Sequence, residues 1–159
     1  MTSTALPDVP LVDEAATARL GAAIARILRP GDAVCLSGPL GAGKSTLARA
    51  LIRERTTPDE DVPSPTFTLV QFYEGDGLPI AHFDLYRLSS PDEAYEIGLD
   101  EALEHGAAVI EWPERLEGVL PPDRLEVTLS PESGPSGDVR RARLNAYGAL
   151  AERGVEFGS

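Results

Sequence analysis

Gly38-Pro39-Leu40-Gly41-Ala42-Gly43-Lys44-Ser45 is the stretch on which the fold turns. It satisfies G-x-x-x-x-G-K-[ST], the phosphate-cradling loop of a strand–loop–helix unit. Glycines let the backbone turn sharply and aim amide N–H groups at phosphate oxygens. A lysine at Lys44 reaches the outer phosphates, and a hydroxyl at Ser45 is a magnesium ligand. The flanks agree with the motif. Ala33-Val34-Cys35-Leu36-Ser37 is a short apolar run with strand character. Thr46 to Arg53 places Leu47, Ala50 and Leu51 at helical spacing, and that helix would add its positive N-terminal dipole. A Gly-rich turn that merely happens to hold a lysine would not come with both flanks.

Around this motif the chain of 159 residues is long enough for one domain with its own core. The expected domain runs over 11–147, with loose tails at 1–10 and 148–159. The expected class is α/β: a single P-loop NTPase domain with a mixed sheet flanked by helices. No apolar run approaches a membrane span, and no basic-then-apolar leader is visible, so a cytoplasmic location is expected. The single cysteine, Cys35, falls in the first core strand and reads as a small core residue. A formal net charge of -12 argues against independent nucleic-acid binding. Arg53 with Arg55, and Arg140 with Arg141 and Arg143, read as solvated faces.

Outward from the loop, Asp13 or Thr17 starts a helix with Ala16, Leu20, Ile24 and Leu28 on one face, ended by Pro30-Gly31-Asp32. Thr56 to Pro65 reads as a polar surface loop. Phe67 to Tyr73 and Leu78 to Leu85 read as a hairpin around Glu74-Gly75-Asp76-Gly77. Short helices are expected after Ser90-Pro91, over Asp100 to His105, and from Pro113 to Leu116. Ala107 to Ile110 reads as a buried strand. Leu125–Leu129 and Val139–Ala146 read as a closing antiparallel pair, joined by a mobile Pro131–Gly137 segment.

A P-loop needs acids, and ligands in such sheets lie beyond the carboxyl ends of the strands. Asp84 and Glu111 each follow an apolar strand. Either would hold magnesium directly or through water, orient an attacking water, or simply cap a helix or pair with an arginine. Ser64-Pro65-Thr66-Phe67-Thr68 reads first as a stiff turn feeding a strand, and second as a switch-like hydroxyl-bearing loop. His82 is either a support for Asp84 or a satisfied core histidine. Trp112 stacks on a ring or packs ordinarily.

Taken in order, Gly38-x-Leu40-Gly41-Ala42-Gly43-Lys44-Ser45, Ser64-Pro65-Thr66-Phe67-Thr68, His82-Phe83-Asp84-Leu85-Tyr86-Arg87-Leu88 and Ile110-Glu111-Trp112-Pro113-Glu114 resemble the TsaE (YjeE-like) ATPases, from about Leu11 to Ala146. Lesser matches are Thr17 with Leu20-Gly21, and Glu96 to Glu101. The resemblance implies ATP and Mg²⁺ as cofactors. It places Gly38, Leu40, Gly41, Ala42, Gly43, Lys44, Ser45, Thr46, Thr17 and Trp112 at the nucleotide, and Ser45, Asp84 and Glu111 at the metal. Lys44, Glu111 and Thr66 would form the catalytic group, with Thr66 in a switch-like segment. The implied partners are TsaB and TsaD, and the implied role is support of threonylcarbamoyl transfer to adenosine 37 of tRNA. An acidic surface suits a protein that engages a protein complex instead of tRNA directly. Two departures stand out: Pro39, where the family usually has an acid, and Ser45, where it usually has Thr. The alternatives are a small-molecule P-loop kinase, which needs an arginine-bearing lid to which Arg49, Arg53 and Arg87 would contribute, and a nucleotide-sensing module. A GTPase switch lacks its Asn-Lys-x-Asp reader here.

Overall fold

The computed structural model describes residues 3–39, 41–131 and 139–157. Leu40 and most of the Pro131–Gly137 connection lie outside the described residues. The described strands are β1 (Ser3–Ala5), β2 (Val9–Leu11), β3 (Ala33–Ser37), β4 (Val70–Gly75), β5 (Leu78–Asp84), β6 (Ala107–Glu111), β7 (Arg124–Pro131) and β8 (Arg140–Tyr147). The helices are α1 (Glu14–Ile27), α2 (Lys44–Arg55), α3 (Asp92–Glu96), α4 (Leu99–His105) and α5 (Ala149–Glu152), with a 3-10 turn at Pro113–Leu116. One mixed sheet runs in the order β1-β8-β7-β3-β6-β5-β4, and β2 also pairs with β8. The central neighbours β7, β3, β6 and β5 run parallel, whereas the β4–β5 and β7–β8 pairs are antiparallel.

The central strands are buried on both faces, as parallel strands between helical layers must be. Their alternation divides the core in two. Val34, Leu36 and Val109 face α1 and α2, whereas Ala33, Cys35, Ala108 and Ile110 face α3, α4 and the 3-10 turn. α1 starts where Asp13 Oδ1 accepts the amide of Ala16 at 2.8 Å, so Asp13 is the cap and Thr17 lies buried one turn in. α1 and α2 approach closely because Gly21 has no side chain: a Cβ there would lie 2.5 Å from the carbonyl oxygen of Leu47. No helix is long and apolar enough to cross a membrane among the described residues.

Two expectations need correction. Of the tail expected at 1–10, residues 3–10 are not loose: β1 and β2 both pair antiparallel with β8, and Val9 is buried. β8 would otherwise present an open edge, and the N-terminal strands satisfy it. Pro10, which has no N–H to donate, sits on this edge strand, where it is tolerated. The C-terminal stretch is docked too. Leu150 is fully buried, and Arg153 Nη2 lies 2.7 Å from Oδ2 of the buried Asp32 while also donating to the carbonyl of Ile27 at 3.0 Å. A buried carboxylate needs such a partner, and Arg153 supplies it. A smaller difference concerns β4, which starts at Val70 instead of Phe67. Leu69 adopts a left-handed conformation (φ 70°) and its amide donates to the carbonyl of Pro65 at 2.7 Å, so the Pro65 turn delays the strand.

Cys35 is almost completely buried in β3, and burial pushes its thiol up to about 12, with the charge of Glu126 adding to the effect. The thiolate is the nucleophile. Native protein at pH 8 is therefore expected to leave a thiol reagent such as DTNB unreacted, with one equivalent consumed after denaturation. Rapid native reaction would show that β3 is accessible.

Candidate functional site

The loop between β3 and α2 has the backbone the motif requires. Gly38, Gly41 and Gly43 all take positive φ (142°, 81° and 105°). Gly38 is doubly constrained: a Cβ there would lie 2.4 Å from the carbonyl oxygen of Leu129 on β7. Pro39 does not disrupt the loop, because its carbonyl accepts the amide of Ala42 at 3.1 Å and so closes a turn. The first main-chain bond of α2 that involves the loop runs from Leu47 N–H to Gly43 O. The amides of Lys44, Ser45 and Thr46 precede it in the first turn, where a helix has no internal acceptors to offer. Arg140 Nη2 donates to the carbonyl of Gly41 at 3.1 Å, reaching the loop from β8.

The two acids arrive by register. β5 and β6 pair in parallel with Asp84 beside Glu111, the last residue of each strand. Both are buried. Asp84 Oδ1 accepts the amide of Tyr86 at 3.0 Å, and Oδ2 accepts the hydroxyl of Thr66 at 3.2 Å. Thr66 Oγ1 also lies 2.8 Å from Ser64 Oγ. The segment is thus a turn, and that turn brings its hydroxyl onto Asp84. His82 Nε2 lies 2.7 Å from Glu111 Oε2, so the histidine attends Glu111 and not Asp84, the neighbour named from sequence. Side chains at 82 and 84 share a strand face, but the hydrogen bond of His82 crosses to Glu111 on the adjacent strand.

Lys44 is buried, and its Nζ donates to the carbonyl of Gly38 while lying 3.5 Å from the centre of the Trp112 ring. Burial lowers its pKa below the usual lysine range; the charges of Glu111, Glu114 and Asp84 act the other way. Trp112 is held in the left-handed region (φ 61°) just before Pro113, an uncommon conformation for a bulky residue. Its ring stacks at a tilt on Tyr86, with centroids 4.9 Å apart.

Gly41, Gly43, Lys44, Ser45, Thr46, Ser64, Thr66, Asp84, Glu111 and Trp112 line one cavity of about 280 Å³. A second, of about 390 Å³, shares Gly41, Gly43 and Thr46 and is closed by Asp13, Glu14, Thr17, Ala42 and Arg140. Between them the two cavities contain the described residues named from sequence as site residues, apart from Gly38, which lies behind the loop with its carbonyl on Lys44. The larger groove of about 640 Å³ between α1 and α2 holds Arg49 and Arg53 and contains neither Asp84 nor Glu111. Arg87 stacks on exposed Phe67 at 4.7 Å. Sequence reasoning missed Arg140, whose cluster read as a solvated face; only the folded return of β8 brings it to the loop.

The donor set fits a magnesium nucleotide. Free amides at a helix start and a lysine suit phosphate oxygens, and the hard oxygens of Ser45, Asp84 and Glu111 suit magnesium, which uses one or two carboxylates alongside phosphates.

A mixed sheet, a P-loop and two strand-end acids define a P-loop nucleotide-binding protein. The model of the family described as "Threonylcarbamoyl adenosine biosynthesis protein TsaE" matches residues 11–141. The chain belongs to this family, which carries nucleotide binding. It is 41% identical over 133 residues to the tRNA threonylcarbamoyladenosine biosynthesis protein TsaE of Streptomyces coelicolor, covering 81% of this chain and 89% of that protein. It is 39% identical over 139 residues to the Bacillus subtilis protein of the same name, covering 86% and 84%. The crystal structure of Bacillus subtilis YdiB superposes with a TM-score of 0.77 at 27% identity, over 96% of this chain and 93% of that one.

The Leu129 contact makes Gly38 and Gly41 separable. Both have positive φ, but a Cβ at Gly41 would meet nothing within 4 Å. Gly38→Ala is expected to lower stability by about 2 kcal/mol or more, and Gly41→Ala by about half of that or less. Thermal melting of the two variants checks this. Equal losses would mean that the Leu129 contact yields freely.

Proposed function

We propose that this chain is a magnesium-dependent ATPase that supports threonylcarbamoyl modification of adenosine 37 in tRNA, acting in the cytoplasm with a TsaB–TsaD complex. One observation carries the reading: Asp84 and Glu111, side by side at the ends of β5 and β6, face Lys44, Ser45 and Thr66 across one cavity. The family assignment supplies the pathway. The acidic chain suits a protein partner better than tRNA itself.

The amides of Gly41 and of Gly43 to Thr46, with the Lys44 ammonium, bind the phosphates, and the cavity with Thr17 and Arg140 takes the nucleoside. To bind them, Lys44 Nζ turns from the Gly38 carbonyl toward the phosphates. Ser45 and Asp84 would hold the metal, which would supply positive charge to the phosphate oxygens. Thr66 reports the state of the metal side through its hydrogen bond to Asp84. Glu111 orients the attacking water and takes up its proton at a carboxylate oxygen. Trp112, stacked on Tyr86 and Lys44, walls the cavity from bulk water.

The test is ATP hydrolysis by the purified protein, alone and with its cognate TsaB–TsaD pair. Turnover is expected to be slow alone and strongly stimulated by the pair. Lys44→Ala is expected to abolish nucleotide binding, and Glu111→Ala to preserve binding while cutting turnover about a hundredfold or more. Asp84→Ala should remove the magnesium dependence of affinity. Absence of both stimulation and complex formation would overturn the partnership, and a phosphoryl acceptor found by screening would establish the kinase reading instead. Undiminished turnover in Glu111→Ala would remove its assigned role.

A further inference from the structure

His82 touches neither phosphate nor metal in the proposed site, yet it is buried there against Glu111. It lies on β5, two residues before Asp84, and its side chain and that of Glu111 are almost entirely excluded from solvent (3% and 4% exposed). Their 2.7 Å contact is the one hydrogen bond recorded for the Glu111 side chain among the described residues. The other ring nitrogen, Nδ1, is buried without a hydrogen-bond partner among the described residues. A bare nitrogen acceptor is the less costly orphan; an N–H there would be a buried donor with nothing to receive it. The arrangement therefore has Nε2–H donating to Glu111 Oε2 and Nδ1 bare. One carboxylate oxygen is fixed, and Oε1 is left for the cavity that Glu111 lines.

We infer that His82 is a positioning residue for Glu111: its Nε2–H locks the carboxylate rotamer so that the remaining oxygen meets the attacking water. The inference rests on the hydrolytic reading above. A carboxylate held by one buried donor keeps its orientation through the reaction, whereas a freely rotating one loses alignment. Partners of this kind typically change activity by about 10- to 100-fold when removed.

Two readouts test it. The chain has two histidines, so ¹⁵N spectra of the nucleotide-free protein, with His105→Gln for assignment, resolve the His82 ring. Protonation at Nε2, with a shift of that resonance in Glu111→Ala, is expected. An Nδ1–H tautomer, or indifference to Glu111→Ala, would overturn the inference. In the full TsaB–TsaD assay, His82→Ala and the closer-sized His82→Asn are expected to lower kcat about 10- to 100-fold with ATP affinity, read from Trp112 fluorescence, changed less than about threefold. His82→Gln, whose amide nitrogen reaches where Nε2 stood, is expected to recover most of the rate. In a Glu111→Ala background His82→Ala should cost nothing more. Unchanged kcat, no rescue by Gln, or additive losses would each overturn it. Should Glu111→Ala itself leave turnover intact, the hydrolytic reading fails. Should Glu111 matter and His82 not, this inference fails alone.

Discussion

The parallel register of β5 and β6 is the constraint on which the site depends. Main-chain bonds continue past the strand ends: Asp84 N–H donates to the Leu69 carbonyl at 3.0 Å, and Leu85 N–H to the Glu111 carbonyl at 3.1 Å. The two carboxylates are thus located by backbone pairing before any side chain contributes. β3 pairs with the other side of β6, with Leu36 beside Glu111. The P-loop therefore leaves the sheet at the same rim. A slip of one residue would turn Asp84 and Glu111 to the opposite face and bring Phe83 and Ile110 to the rim, at the expense of the whole apolar layer beneath. Core packing and site geometry enforce one another.

That rim concentrates buried charge, which folding alone would disfavour. Lys44, Asp84, Glu111 and His82 are all nearly inaccessible. Each has a specific partner: the Gly38 carbonyl for Lys44, Thr66 and the Tyr86 amide for Asp84, His82 for Glu111. Desolvation still lowers the pKa of Lys44 despite three acids nearby. Lowered in the folded state, that pKa makes this lysine oppose stability below it, and the penalty fades as pH rises through it toward the ordinary lysine value. Left-handed Trp112 and Leu69 add strain at the same rim. Stability is given up here, where charge must meet a ligand, and recovered in the two apolar layers.

The legible parts of the chain are those whose signal is local. Gly38 to Ser45 fixed a strand, a loop and a helix, because glycine placement and flanking periodicity are properties of contiguous residues. Asp84 and Glu111 were readable as acids ending apolar runs. What stayed illegible was long-range. Residues 3–11 carry too short a pattern to announce strands, and their place exists only because β8 returns with an open edge. Arg140 belongs to the loop only through the fold, 99 residues from Gly41 in sequence. His82 was drawn to Asp84 by proximity along β5, whereas the stronger contact crosses to β6. Leu69 gave no sign of a left-handed turn, since leucine rarely adopts one.

β7 and β8 buttress the phosphate loop, and this gives the segments packed against them a purpose. β7 brings the Leu129 carbonyl to where only a glycine at 38 can pass. β8 sends Arg140 onto the Gly41 carbonyl at the far side of the same loop. The loop is therefore gripped by an antiparallel pair that plays no part in the acid rim. β8 in turn is held on its outer side by β1 and β2, with Leu6 N–H adding a bond to the Leu144 carbonyl at 2.9 Å. Arg153, just beyond α5, pins that stretch to Asp32 at the start of β3. β1, β2 and the stretch around Arg153 thus close onto the elements that carry the P-loop. An unsupported β8 edge would let the pair shift, and the Gly38 carbonyl that receives Lys44 would shift with it.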